Sequence, residues 1–296
     1  MISGIRILFL FTFLIFVFMV SSSGAEVYSY SKESTVIGSI KTYKVKEGES
    51  LIEIARDFDL GYYEIVDANP GLDPFVPGTG VSVKIPKSWV IPEVISYDGI
   101  VINLSEMRLY YFFKQKESLL VRTFPIGIGD EGTDTPTGKF RVIEKLVKPS
   151  WHVPESIKKE KPELPKVVLP GPDNPLGSHA LRLSLSSILI HGTNKPWGVG
   201  RRVSHGCIRL YPEDIPKLFQ LVPKGAKVTI TRQPIKVGIR NSKVYAEVHK
   251  DDFMNLNYFN EAVTLLRKKN LLKKVNNEKV YRAINEKSGI PVEISN

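Results

Sequence analysis

One cysteine, Cys207, is the entire thiol complement of this 296-residue chain. A lone cysteine closes no intrachain disulfide, and with no cysteine near the N-terminus, lipid attachment at a processed N-terminal cysteine is excluded. Long apolar runs are absent beyond Ile7–Val20, which excludes a protein with many membrane spans. Neither C-x-x-C nor H-E-x-x-H occurs, so the usual zinc signatures are missing. Acidic residues are the minority, 31 against 41 lysines and arginines, and no basic stretch is interleaved with aromatics as nucleic-acid binding would favour.

The first 25 residues stand apart. A short opening with Arg6 precedes Ile7–Val20, apolar except for Thr12, and Ser-Ser-Ser-Gly-Ala25 supplies the small residues that signal peptidases accept. The run is shorter than the roughly 20 residues that span a bilayer, so residues 1–25 are expected to be a cleaved secretory signal, with an uncleaved N-terminal anchor as the alternative. Export sets the expected location as periplasm or cell wall and removes nucleic acid as a partner. It also makes Cys207 informative: an unpaired thiol in an exported protein is a liability unless it performs chemistry, the alternative being an inert buried residue. The net charge of +10 favours an anionic surrounding, although solubility explains the same number.

Residues 26–41 are polar and serine-rich and read as a linker. Residues 42–87 then carry a compact pattern. Tyr43 and Val45 alternate as in a strand, and Gly48 marks a turn. Ser50-Leu-Ile-Glu53 has the form of a capping box opening a helix with Leu51, Ile54, Ala55 and Phe58 at helical spacing. A second helix over Tyr62–Ala68 stops at Asn69-Pro70-Gly71, and Gly80–Pro86 alternates again. The order is strand, helix, helix, strand. This segment resembles the LysM module through Tyr43-Lys-Val45, Gly48, Ser50-Leu51, Ile54-Ala55, Asn69-Pro70 and Ile85-Pro86. The resemblance implies a βααβ fold that binds glycans containing N-acetylglucosamine; a small packing domain without ligand is the alternative.

Residues 96–232 change texture to repeated short strands. Ile100, Ile102 and Leu104 alternate with polar neighbours, as do Met107, Leu109, Tyr111 and Phe113. Further strands are expected over 119–128, 138–147, 181–183, 187–191, 207–210 and 226–231, with a helix over 212–221. Many short strands punctuated by glycine and proline predict a mainly β domain, a sandwich or barrel-like fold. The proline-rich segment 148–178 breaks the rhythm and is expected to be a lid over a site, an ornamental insertion being the alternative. Residues 233–296 add a hairpin and two basic helical patterns, an α+β extension.

Chemistry concentrates in Ile188-Leu-Ile-His191-Gly-Thr-Asn and Val203-Ser-His-Gly-Cys-Ile-Arg-Leu210. The thiolate is the nucleophile, and an adjacent imidazole or cation activates it. His191 is placed to act as base for Cys207 and afterwards to protonate a leaving amine. Gly206 permits a tight turn that aims the amides of Gly206 and Cys207 at a developing oxyanion. Arg209 shares the strand face of Cys207, where its planar fork suits a substrate carboxylate. A zinc site from His179, His191, His205 and Cys207 is a competing reading. A papain-like or NlpC/P60-like peptidase pairs the same residue types, but with cysteine before histidine.

Ile190-His-Gly-Thr193 followed by Ser204-His-Gly-Cys-Ile-Arg-Leu210 resembles the L,D-transpeptidase (YkuD-type, ErfK/YbiS-like) family over about residues 97–231, with Thr135-Pro-Thr-Gly-Lys-Phe140 and Asn174-Pro-Leu-Gly177 as secondary motifs. The resemblance implies Cys207 as nucleophile, His191 as acid/base, and the Gly192 carbonyl orienting the imidazole. It also implies Gly206 with Cys207 as oxyanion donors, and Ser204, His205 and Arg209 as substrate contacts; His179 receives no role. No metal and no cofactor are implied.

The implied reaction attacks the bond between a diamino acid and D-alanine in a peptidoglycan tetrapeptide stem. An acyl-thioester forms and passes to an amine, giving a 3-3 cross-link or a wall-attached outer-membrane lipoprotein. Such enzymes are expected to resist most penicillins and to be acylated by carbapenems. Hydrolysis with water as acceptor, and a non-catalytic LysM wall-binding protein, are the rival readings.

Overall fold

The computed structural model describes residues 26–185 and 187–296; the expected export signal, residues 1–25, lies outside the described residues. No helix among the described residues is long and apolar enough to cross a membrane. The protein is mainly β, and its largest element is a curled nine-stranded sheet. The strand order is Val27–Ser29, Ser118–Pro125, Arg108–Gln115, Gly99–Asn103, Lys227–Thr231, Gly138–Val147, His179–Leu183, Leu189–His191, Ile208–Arg209. Two contacts in it are parallel: Gly99–Asn103 against Lys227–Thr231, and Leu189–His191 against Ile208–Arg209.

Alternation along these strands divides their side chains between two cores. Ile100, Ile102, Leu109 and Phe124 join Ile215 and Leu218 of the helix Ile215–Leu221 on one side. Val101, Tyr110, Phe112 and Val121 lie on the other, among Leu51, Ile54, Ile65 and Trp89. The second face differs from the sequence expectation. Its positions are the neighbours that alternate with the expected apolar ones, yet here both faces are covered and even Arg108 has no exposed surface.

The cover is the βααβ unit. Strand Lys41–Lys44 pairs antiparallel with Ser82–Ile85, enclosing helices Leu51–Asp57 and Tyr62–Ala68. The capping box forms: Glu53 N–H donates to Ser50 Oγ (3.2 Å) and Ser50 N–H donates to Glu53 Oε2 (2.9 Å). The unit is welded to the sheet. Arg108 Nε and Nη2 donate to Glu64 Oε1 and Oε2 at 2.6 Å each, with the guanidinium over the Trp89 ring. Tyr211 O–H donates to the Leu60 carbonyl, and Arg56 pairs with Glu213. The amides of Tyr62 and Tyr63 donate to the carbonyls of Val199 and Gly200.

Residues 26–41, expected as a linker, instead contribute strands. Val27–Ser29 pairs with Ser118–Pro125, and Val36–Gly38 with Ser88–Val90. Three-residue strands are too short to display a period of two, so composition alone suggested a loop. The proline-rich segment is a flap rather than an unstructured loop: Trp151–His152 pairs with Val167–Val168, and helix Glu155–Glu160 lies between. The buried Asn174 side chain ties its base by donating to the carbonyls of Pro149 and Leu169.

Residues after Arg232 form a three-stranded sheet, Ile235–Arg240, Lys243–Val248 and Val292–Glu293, with helices Tyr258–Lys268 and Asn277–Glu286. Ile235, Val244, Leu266 and Ala283 belong to its separate core.

Candidate active site

Cys207 stands just ahead of strand Ile208–Arg209, which pairs in parallel with Leu189–His191 so that Arg209 lies opposite His191. Paired residues share a face and residues two apart share a face, so Cys207, Arg209 and His191 project to one side. The Cys207 Sγ is 3.4 Å from the Leu189 amide, which donates to it, and 3.6 Å from the Ser187 carbonyl.

His191 is buried, and its Nδ1 lies 2.6 Å from the Gly192 carbonyl. A carbonyl only accepts, so this contact places the ring proton on Nδ1 and leaves Nε2 as the basic nitrogen. Burial, then the Arg209 charge, push the imidazole down to about 4, against the carbonyls of Gly192 and Leu176, which favour the protonated ring. Burial pushes the Cys207 thiol up, opposed by the Leu189 amide and the charges of Arg209 and Arg182. Both shifts favour the uncharged forms, thiol and neutral imidazole. Arg209 is itself pushed down by burial, and its Nε has no hydrogen-bond partner among the described residues. A cation left incompletely satisfied inside a site is suited to an incoming carboxylate.

The turn before Cys207 is held from outside. Gly206 has φ +94°, a left-handed conformation that favours glycine. The Ser204 carbonyl accepts from the Asp130 amide (2.8 Å) and from Thr133 Oγ1 (3.0 Å). Amide and carbonyl bonds join Gly127 to Arg209 in both directions.

Residues 97–230 match the L,D-transpeptidase catalytic domain, and residues 43–75 match the LysM domain. The probable L,D-transpeptidase YcfS of Escherichia coli (strain K12) is 43% identical over 227 residues, 73% of this chain and 70% of that protein. The probable L,D-transpeptidase ErfK/SrfK of the same strain is 35% identical over 277 residues, 88% of each chain. The chain belongs to the L,D-transpeptidase family. A solved L,D-transpeptidase from Mycobacterium smegmatis is 23% identical, covering 51% of this chain and 63% of that one, with a TM-score of 0.34.

In this L,D-transpeptidase the expected site residues fall into two groups. Cys207, His191, Arg209, Gly206 and Gly192 gather at the parallel strand pair. Ser204, expected to touch substrate, is 2% exposed, and its Oγ donates to the Cys207 carbonyl at 2.6 Å, so it braces the turn from within. His205 points outward to the flap, where its Nε2 is 3.3 Å from Glu160 Oε2. That contact puts the flap's helix beside the residue two before the nucleophile.

His179 lies one position from Ala180, the partner of His191, and so on the opposite face. Its ring packs on Phe219 at 4.6 Å. The His/Cys/Asp/Glu cluster with metal-like proximity among the described residues is elsewhere: Glu106, Glu247 and His249, all buried. Lys236 Nζ sits 2.6 Å from Glu106 and 2.8 Å from Glu247, already occupying the place of a cation.

Sequence reasoning missed Thr135, whose Oγ1 is 2.9 Å from the Gly206 carbonyl, and Asp134, which pairs with Arg202 at 2.6 Å. Thr135 opens the Thr135-Pro-Thr-Gly motif and Asp134 precedes it; the motif is visible in the sequence, but nothing in it tells which partner it meets.

Proposed function

We propose that this chain is an exported peptidoglycan L,D-transpeptidase that works through an acyl-thioester on Cys207. The observation carrying the reading is the juxtaposition of Cys207, His191 and Arg209 on one face of the parallel strand pair, within the matched catalytic domain. Neutral His191 takes the thiol proton at Nε2 as Sγ attacks the carbonyl of the diamino acid's L-centre. The amides of Gly206 and Cys207 receive the oxyanion. The peptide C–N bond breaks, D-alanine leaves as the free amine carrying the proton from His191, and the acyl group stays on sulfur. An acceptor amine then attacks the thioester, gives its proton to His191, and the thiol is restored.

Arg209 binds a carboxylate of the donor stem, His205 contacts substrate beneath the flap, and the βααβ unit binds the glycan strand. The acceptor is a second stem, giving a 3-3 cross-link, or the lysine of an outer-membrane lipoprotein. Burial that favours the uncharged thiol and imidazole supports acyl transfer by general-base attack and fits an enzyme whose thiol is not indiscriminately reactive.

The test is incubation of the mature protein with tetrapeptide-stem muropeptides and mass analysis of products. Cross-linked dimers lacking one D-alanine are expected. Tripeptide monomers alone would indicate hydrolysis. No turnover, with a Cys207→Ala variant binding glycan as well as wild type, would leave only a wall-binding protein.

A further inference from the structure

The nucleophile turn contains a conformational hazard. Gly206 has to be glycine for its positive φ, yet glycine also lets the peptide that follows it rotate. That peptide carries the Cys207 N–H, one of the two amides assigned to the oxyanion. We propose that Thr135 is the positioning residue that locks this peptide and so aims the Cys207 amide; the proposal rests on the acyl-thioester reading above.

The geometry supplies both the lock and its direction. Thr135 is 3% exposed, and its hydroxyl is committed on both sides. It accepts from the Gly129 amide at 2.9 Å, which can only donate. Its single proton therefore goes to the other partner, the Gly206 carbonyl, also at 2.9 Å. Peptide units are planar and trans, so a carbonyl fixed toward Thr135 sends the N–H of Cys207 the opposite way. The Cys207 amide makes no hydrogen bond among the described residues and is free for a ligand.

The neighbouring peptides are fixed as well. Ser204 Oγ holds the Cys207 carbonyl, and Thr133 holds the Ser204 carbonyl. Segment 129–135 thus wraps the turn, and Thr135 contributes the bond to the peptide that does the chemistry. Without its hydroxyl the Gly206 carbonyl is left buried and unsatisfied, and a peptide flip at the glycine relieves that state while removing an oxyanion donor.

The experiment compares two reactions at Cys207 in the full chain: acylation by imipenem, which builds negative charge on a carbonyl oxygen, and alkylation by iodoacetamide, which does not. Thr135→Val keeps the shape and removes the hydroxyl; Thr135→Ser restores it. The expected result is an acylation rate at least tenfold lower in Thr135→Val, alkylation within about threefold of wild type, and acylation recovered to within about threefold in Thr135→Ser. If Thr135→Val does not fold, Thr135→Ala takes its place against Thr135→Ser. Acylation unchanged in the hydroxyl-free variant, a parallel loss of both reactions, or no recovery with serine each overturns the proposal. Should wild type take no imipenem at Cys207, the acyl-thioester reading itself fails and the role of Thr135 falls with it.

Discussion

Glu64 and Arg108 form a two-pronged ion pair at 2.6 Å, with side chains 7% and 0% exposed. They come from helix Tyr62–Ala68 and strand Arg108–Gln115, so the pair joins the βααβ unit to the catalytic sheet through its core. Removing one member leaves the other buried and uncompensated. Glu64→Ala is expected to lower unfolding free energy by about 3–5 kcal/mol in urea titration. Glu64→Leu with Arg108→Met should recover part of that loss, because it removes the stranded charge but leaves the Trp89 Nε1–H and Gly61 N–H that donate to Glu64 without a partner. Equal losses in single and double variants would contradict this account.

The pH dependence follows from a base pushed down and a thiol pushed up. His191 stays neutral as pH falls until about 4, so the acylation rate by imipenem should hold level from pH 7 to about 5. Activity that halves near pH 6.5 would mean that the imidazole is not desolvated as described. The same shift has an opposite consequence for stability. The unfolded chain protonates His191 below its ordinary value of 6.5, while the folded chain does not until about 4. Folding stability should therefore fall across that window, by about 3 kcal/mol from this group.

Arg209 provides the specificity test. Arg209→Gln should reduce kcat/KM on a tetrapeptide stem by about 10–100-fold, the worth of a charge-assisted hydrogen bond. On a stem whose carboxylates are amidated, the same variant should differ little from wild type. A uniform loss on both substrates would assign Arg209 to the architecture instead.

Gly200 offers a purely steric test. A Cβ there would fall 2.1 Å from the Tyr62 amide nitrogen and 2.4 Å from Gly61 Cα, at a residue with φ +77°. Gly200→Val should destabilise the protein by at least about 2 kcal/mol and accelerate proteolysis between residues 196 and 204. A variant with wild-type melting and proteolysis would show the contact to be loose.

The grouping of the candidate site residues was legible in the sequence because the motif is local: His191 and Cys207 lie 16 positions apart, one ending a strand and the other just ahead of its parallel neighbour, and the Ser204–Arg209 core is contiguous. The two short helices were legible for the same reason, through the Ser50–Glu53 box and helical spacing. What escaped was long-range. Nothing near Arg108 and Tyr110 in the sequence announces that residues 51–89 cover that face of the sheet. Val27–Ser29 became a strand only by meeting Leu120–Arg122. Ser204 read as a substrate contact from its place in the motif, whereas its burial depends on the turn geometry around Cys207.

The welded βααβ unit changes what a wall-binding module would mean here. A module on a flexible strap multiplies encounters and leaves the choice of bond to chance. This one shares a core with the catalytic sheet and touches the loop leading to the nucleophile. On the proposed reading, a strand gripped on its outer surface stands at a set offset and angle from Cys207. The protein then acts as a gauge laid along the polymer, selecting stems by where they fall on the strand as well as by their chemistry.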